Sequence, residues 1–178
     1  VRIISGQWKG KSIIAPKNLP VRPTTDFAKT ALFNILANHF DFENISVLDL
    51  FCGTGNISYE FASRGAKEIT CVDENISCIK FVKSTLEKLQ FDSVQVIKSD
   101  AFLFLEHCSE KFDIIFADPP YDLVQTDYIP ALVFDNKLLN ENGWLIIEHQ
   151  SKRKFQGNIA PNEIRTYSNC SFSIYKQL

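Results

Sequence analysis

Ser46-Val47-Leu48-Asp49-Leu50-Phe51-Cys52-Gly53-Thr54-Gly55-Asn56 is a short apolar run that stops at two glycines. The run reads as a buried strand because it is short, apolar and ends at a turn signal. Gly53 and Gly55 let the backbone turn tightly and approach a bound group closely. Asn56 to Arg64 then reads as a helix, with Gly65 as its stop. The helix start offers unpaired N–H groups and the positive end of a dipole.

The same rhythm continues downstream. Glu68 to Val72 is a strand ending at Asp73, Ile76 to Leu89 an amphipathic helix, and Ser93 to Ile97 a strand ending near Asp100. Phe102 to Cys108 is a short helix, Lys111 to Ala117 a strand ending at Asp118, and Tyr128 to Leu138 a helix. Gly143 to Glu148 is a fifth strand, and Ile164–Tyr167 with Ser171–Tyr175 form a closing hairpin. Strands alternating with helices indicate βαβ units around a parallel sheet, an α/β fold of the Rossmann-like kind. Ligands of such sheets bind outside the carboxyl ends of the strands. Asp73, Asp100, Asp118 and the glycine turn therefore share one rim.

Upstream the pattern differs. Arg2 to Ala15 reads as two short strands around Gly6–Gly10, with Ile3, Ile4, Ile13 and Ile14 as their apolar content. Pro16 to Pro23 is a proline-punctuated connector. Thr24 or Thr25 caps a helix beginning near Asp26, whose apolar face is Phe27, Ala28, Ala31, Leu32, Ile35 and Leu36. The 178 residues suit one domain, with 1–40 as a basic extension and 41–178 as the Rossmann-like core. No apolar run approaches the roughly 18 residues of a membrane span, and the opening residues lack a signal-peptide pattern. Five cysteines with no zinc-type spacing read as reduced thiols of a cytoplasmic protein, and no metal is expected.

Charge is uneven. Residues 1–30 hold Arg2, Lys9, Lys11, Lys17, Arg22 and Lys29 against Asp26 alone, a local charge of +5, and the remainder carries −7. A basic arm on an acidic body fits an anionic partner, or else a solvated strand pair.

The glycine turn and the strand-end acids define a cofactor site. Asp73 lies 20 residues after Gly53, where a carboxylate accepts ribose hydroxyls. The dinucleotide fingerprint would place a third glycine at Ser58, so a pyrophosphate ligand is disfavoured. S-adenosylmethionine carries ribose and adenine without phosphate. Asp49 would balance its amine. Phe51 packs either against the ligand or in the core. Asp100, with Ala101 behind it, either accepts from the adenine amine or caps the next helix.

Asp118-Pro119-Pro120-Tyr121 follows a buried strand. The lone pair of a nucleobase amine is delocalised into its ring. Asp118 and the Pro119 carbonyl can accept the two amine hydrogens and draw that lone pair toward a methyl donor, which is catalysis by positioning and electrostatics. Pro119 and Pro120 stiffen the loop, and Tyr121 offers a ring for stacking a flipped or unpaired base.

The chain resembles the RsmD-type ribosomal RNA guanine-N2 methyltransferases over nearly its whole length. The resemblance lies in Arg2 to Lys11, Val21-Arg22-Pro23-Thr24-Thr25-Asp26, Ala31 to Leu36, Asp49-Leu50-Phe51 and the Asp118–Tyr121 tetrapeptide. It implies a seven-stranded methyltransferase sheet closed by an antiparallel hairpin, S-adenosylmethionine as donor, and a guanine amine of small-subunit 16S ribosomal RNA as acceptor within the subunit or its assembly intermediate. Under it Arg2, Lys9, Lys11 and Arg22 meet RNA phosphates, Trp8 stacks or covers the core, and Thr24 borders the target pocket. Two positions depart from the pattern. Cys52 replaces a small alanine, and Phe27 stands where arginine is frequent, which weakens a phosphate contact at that helix start.

Three rivals are distinguishable. A DNA adenine-amine methyltransferase would share the rim, but no segment here is long enough for a separate recognition domain. A nicotinamide-dependent reductase is disfavoured by Ser58 and by the tetrapeptide. A silent RNA-binding protein would not need the acids and prolines. Lys152-Arg153-Lys154 is a second basic cluster, of a kind that is more often a solvated loop than an RNA contact, and Glu148 reads as a residue near the rim that supports others.

Overall fold

A computed structural model describes residues 1–19 and 24–178; residues 20–23, including Arg22, lie outside the described part. Strands β1 (Ser46–Leu50), β2 (Glu68–Asp73), β3 (Val94–Lys98), β4 (Phe112–Ala117), β5 (Leu139–Gln150), β6 (Glu163–Tyr167) and β7 (Cys170–Lys176) form one sheet. Their order is β3-β2-β1-β4-β5-β7-β6. The first five pair in parallel, and β7 runs antiparallel between β5 and β6. Helices α1 (Asp26–Ala37), α2 (Asn56–Ser63), α3 (Ile76–Leu89), α4 (Ala101–His107) and α5 (Ile129–Asp135) complete the fold. Among the described residues no helix is long and apolar enough to cross a membrane.

The parity of the strands sorts the core into two layers, since successive side chains point to opposite faces. Val47, Ile114 and Ile146 join Leu32, Phe33 and Phe61 in one cluster, while Leu48, Ile115 and Ile147 join Leu105 and Val133 in the other. Asp49 shares the face of Val47, Asp118 that of Ile114, and Glu148 that of Ile146. Three acids thus converge on the layer that holds α1 and α2, at the carboxyl ends of the central strands. The registers place them side by side: Leu50 pairs with Ala117, and Ala117 with Ile147, so Asp118 and Glu148 follow neighbouring partners.

Most expected boundaries hold within about a residue, and two expectations are corrected. The N-terminal strand pair reduces to a single bridge between Arg2 and Ser12. The donors a longer ladder would use are taken up by α2: Ile4 N–H and Ser5 N–H bond the Glu60 carboxylate at 2.8 and 3.1 Å, and Gln7 N–H bonds the Ser63 carbonyl at 2.7 Å. Gly6 has φ +83°, and a Cβ there would lie 1.8 Å from the Ser63 carbonyl oxygen, so only glycine permits this approach. Ile3 points into the core, whereas Ile14 is 91% exposed and contributes nothing to it.

The second correction concerns the helix expected over 128–138. A 3-10 turn at Val124–Tyr128 leads into α5, which carries Pro130 in its first turn and ends at Asp135. β5 begins at Leu139, earlier than the Gly143 expected, because Leu139 pairs with Phe112 before an irregularity in the ladder.

Candidate active site

The rim residues of β1, β2, β4 and α4 surround one cavity of about 510 Å³. Asp49, Phe51, Gly53, Asp73, Asp100, Ala101, Asp118, Pro119, Pro120 and Tyr121 all line it, as does Thr24 from the segment before α1.

Local backbone geometry holds the cofactor half. The Asp73 carboxylate accepts from Gly53 N–H and Asn75 N–H, both at 2.8 Å, which pins it between the glycine turn and the start of α3. Each oxygen retains a lone pair for a further donor. Asp100 caps α4 through Oδ1, which accepts from Phe102 N–H at 2.9 Å and Leu103 N–H at 3.0 Å. Neither bond uses Oδ2, so capping and cavity roles are compatible at this residue. Phe51 has φ +59°, lines the cavity and meets Phe102 edge-on at 6.1 Å, so its ring serves both packing and cavity. Gly55 is not among the cavity-lining residues. It is the left-handed N-cap of α2, where a Cβ would lie 2.6 Å from the Tyr59 ring.

Asp49 is fully buried and accepts a 2.5 Å bond from the Ser58 hydroxyl, which in turn accepts from the Cys71 thiol at 2.8 Å. Burial pushes the Asp49 carboxyl up to about 7, against the pull of the Ser58 bonds. Among the described residues no basic side chain pairs with it. The serine that breaks the dinucleotide fingerprint is therefore the partner of a cavity acid, and its place one turn into α2, facing Asp49, is the signal that would have revealed it.

Asp118 sits at the end of β4, with its N–H on the Leu50 carbonyl at 3.3 Å. Burial, then the charges of Glu148 and Asp49, hold its carboxyl well above the usual carboxylate range. Glu148 is itself raised by burial, although the Thr24 hydroxyl at 2.5 Å and the Cys170 thiol at 3.3 Å donate to it.

A buried polar chain fixes this second half. Lys29 and Glu60 have no exposed side-chain surface and form an ion pair at 3.6 Å. Lys29 Nζ also donates to the Arg2 carbonyl at 2.5 Å and to Asn56 Oδ1 at 2.7 Å. The Asn56 amide then donates to the Thr24 carbonyl at 3.1 Å. Arg64 bonds Glu60 from the other side at 2.8 Å. Lys29 thus leaves the basic arm and becomes an internal strut; in the sequence the signal is its place on the buried face of α1, with Ala28 and Leu32.

Arg153 corrects the reading of 152–154 as a solvated loop. Its guanidinium donates to the Tyr121 and Leu123 carbonyls, both at 3.1 Å, and pairs with Asp127 at 2.9 Å. It clamps the loop that carries the tetrapeptide. The expected RNA contacts divide. Lys9 and Lys11 are exposed, and Arg2 meets Asp26 at 3.5 Å on the surface. Trp8 is half-buried against the core and meets Phe91 edge-on, as its core-covering alternative requires. None of these four lines the cavity.

The strand order, the glycine turn and the acid-lined rim define a Rossmann-like class I methyltransferase fold. The family model described as "Conserved hypothetical protein 95" matches residues 1–176, and the chain belongs to that family, the RsmD-type family its motifs resemble. The chain is 33% identical to the putative rRNA methyltransferase YlbH of Bacillus subtilis, across 99% of both chains. It is 32% identical to ribosomal RNA small subunit methyltransferase D of Escherichia coli K12, covering 83% of this chain and 71% of that one. The solved putative methyltransferase yhhF from Escherichia coli superposes with a TM-score of 0.84 at 26% identity, covering 99% and 97% of the two chains.

Proposed function

We propose that this chain methylates the exocyclic N2 amine of a guanine in small-subunit 16S ribosomal RNA, with S-adenosylmethionine as donor and no metal. The observation that carries the reading is the meeting, in one cavity, of the Asp118–Tyr121 tetrapeptide with Asp49, Asp73 and Asp100.

The donor set fits the cofactor. Asp49 is a buried carboxyl with no basic side chain paired to it among the described residues, which suits the ammonium of a methionine group. Asp73 keeps lone pairs for ribose hydroxyls, and Asp100 Oδ2 suits the adenine amine. When bound, S-adenosylmethionine supplies an electrophilic methyl group. The remaining work belongs to the chain. Asp118 and the Pro119 carbonyl accept the two amine hydrogens and aim the nitrogen lone pair. Tyr121 stacks the base in a loop stiffened by two prolines and clamped by Arg153. Once the bound donor had given up its methyl group, the methylated amine would have a proton to shed. Asp118, raised by burial and by its acidic neighbours, is a suitable acceptor for that proton.

Residues 1–40 act as a basic RNA-facing extension of the catalytic core at 41–178 within one domain. Arg2, Lys9 and Lys11 meet phosphates, and Thr24 borders the base. The substrate is the small subunit or its assembly intermediate, in the cytoplasm. The relatives named as rRNA methyltransferases support this choice. The test is transfer from labelled S-adenosylmethionine to small subunits of cells lacking the enzyme, followed by nucleoside analysis. N2-methylguanosine is expected; label on adenosine, or in DNA alone, overturns the assignment.

A further inference from the structure

We infer that the Thr24 hydroxyl, held toward Glu148, presents only lone pairs to the cleft and thereby selects a base with an N–H beside its exocyclic amine, guanine over adenine. This rests on the amine-methylation reading above and adds the element that reads the base.

The bonding pattern fixes the polarity of that hydroxyl. Lys29 has only donors, so the Asn56 oxygen must face it, and the Asn56 amide nitrogen must then face the Thr24 carbonyl. Thr24 is thereby anchored by its backbone against α2. Its hydroxyl lies 2.5 Å from Glu148 Oε2, and the other oxygen of Glu148 takes the Cys170 thiol. The hydroxyl donates to that oxygen, so the single proton of Thr24 points to Glu148 and away from the cavity. Thr24 nevertheless lines that cavity, as does Asp118. Glu148 and Asp118 directly follow the paired Ile147 and Ala117, and the Glu148 charge acts on Asp118, so the Thr24 hydroxyl bonded to Glu148 belongs to the Asp118 side of the cleft.

The chemistry of the purine edge follows. With its amine on Asp118 and Pro119, guanine offers its N1–H to the next acceptor, and Thr24 supplies one. Adenine in the same pose offers a ring-nitrogen lone pair, which meets an oxygen lone pair. A site built around a hydrogen bond rejects an analogue that leaves its buried polar groups unpaired.

The tetrapeptide alone does not make this choice, because an amine with two acceptors is common to both bases. Thr24 supplies the missing distinction from a segment about 94 residues upstream of the tetrapeptide.

The experiment uses the full chain and small subunits reconstituted with 16S RNA that carries, at the mapped target, either guanosine or the 2-aminopurine nucleoside. The analogue keeps the 2-amine but has a lone pair at N1. The wild type should prefer guanine in kcat/KM by roughly 10- to 100-fold, the cost of one unmet buried acceptor. Thr24→Val should collapse that ratio by losing guanine activity, with S-adenosylhomocysteine binding retained in calorimetry. Thr24→Ser, which keeps the hydroxyl, should restore it. A wild-type ratio near one overturns the inference without any variant. So does a Thr24→Val enzyme that binds S-adenosylhomocysteine and keeps the wild-type ratio. Guanine N2 methylation persists in both of those outcomes, so they leave the proposed function standing; a wild type that methylates no guanine removes both.

Discussion

The two halves of the cavity are held in place by different means. On the cofactor side, acids are fixed from nearby in the chain: Asp100 by Phe102 and Leu103, Asp49 by Ser58 nine residues on, and Asp73 by Asn75 and by Gly53 in the preceding turn, 20 residues back. On the substrate side, fixation crosses the chain. Thr24 bonds Glu148 at a separation of 124 residues, Ile4 bonds Glu60 at 56, and Arg153 bonds Tyr121 at 32. A cofactor shared by many enzymes can be bound by a strand–turn–helix unit. A particular RNA base needs a wall assembled from distant segments.

Disturbing the long-range half should first cost stability. Lys29→Met leaves Glu60 buried with Arg64 as its remaining basic partner, and breaking a buried pair typically costs about 3–5 kcal/mol. Lys29→Met with Glu60→Gln, which removes the unpaired charge yet keeps an acceptor oxygen for the Ile4 and Ser5 N–H groups, should recover part of that in urea titration but keep a raised KM for RNA, because Asn56 and Thr24 lose their anchor. Recovery of both stability and KM would mean the strut is merely structural.

Asp118→Ala should lower single-turnover methyl transfer by about 10²- to 10³-fold, the usual loss for one preorganised electrostatic contact. S-adenosylhomocysteine binding, measured by calorimetry, should change little. A collapse of cofactor binding would move Asp118 to the other half of the cavity.

Asp49 offers a pH signature on the cofactor side. Its carboxyl rises from 3.8 to about 7 on folding, so the folded apo protein holds the proton more tightly between those values. Its contribution to apo stability is full below about 3.8 and is lost as pH rises to about 7. Asp49→Asn should raise the apo Tm at pH 8 by about 2–4 °C for each kcal/mol relieved. It should also weaken cofactor binding roughly 10-fold and abolish the gain in affinity expected of the wild type as pH rises through about 7.

Arg153→Met should loosen the Tyr121 loop and raise KM for RNA roughly 3- to 10-fold, in line with about 1 kcal/mol per hydrogen bond, while cofactor affinity stays constant. The smallest effect is expected from the arm. Lys9→Ala with Lys11→Ala should reduce the salt slope of RNA binding by about 1.4, two contacts at roughly 0.7 each. An unchanged slope would remove these lysines from the interface.

The same contrast explains what could be read in advance. The sheet, the glycine turn and the acids at 73, 100 and 118 are encoded in short windows, because periodicity and turn chemistry are local. Lys29, Asn56 and Arg153 were not, because their side chains take their meaning from partners dozens of residues away. A lysine on an apolar helix face and an arginine in a basic loop look like surface residues until the segments they tie together are seen. The N-terminal segment failed for a related reason: its isoleucines suggested a ladder, but its backbone donors bond α2.

The Ser58–Asp49 bond also has a consequence for ligand choice. The first turn of a helix behind a glycine loop is an anion trap in many nucleotide-binding proteins. Here the trap is filled from inside. Asp49 takes the hydroxyl of Ser58, the third residue of α2, so a carboxyl group sits where a phosphate would need donors. A pyrophosphate approaching this turn would meet an acid of its own sign, whereas an ammonium would meet a waiting counterion. The residue that replaces the third glycine thus holds the cavity acid that would meet the ligand's amine.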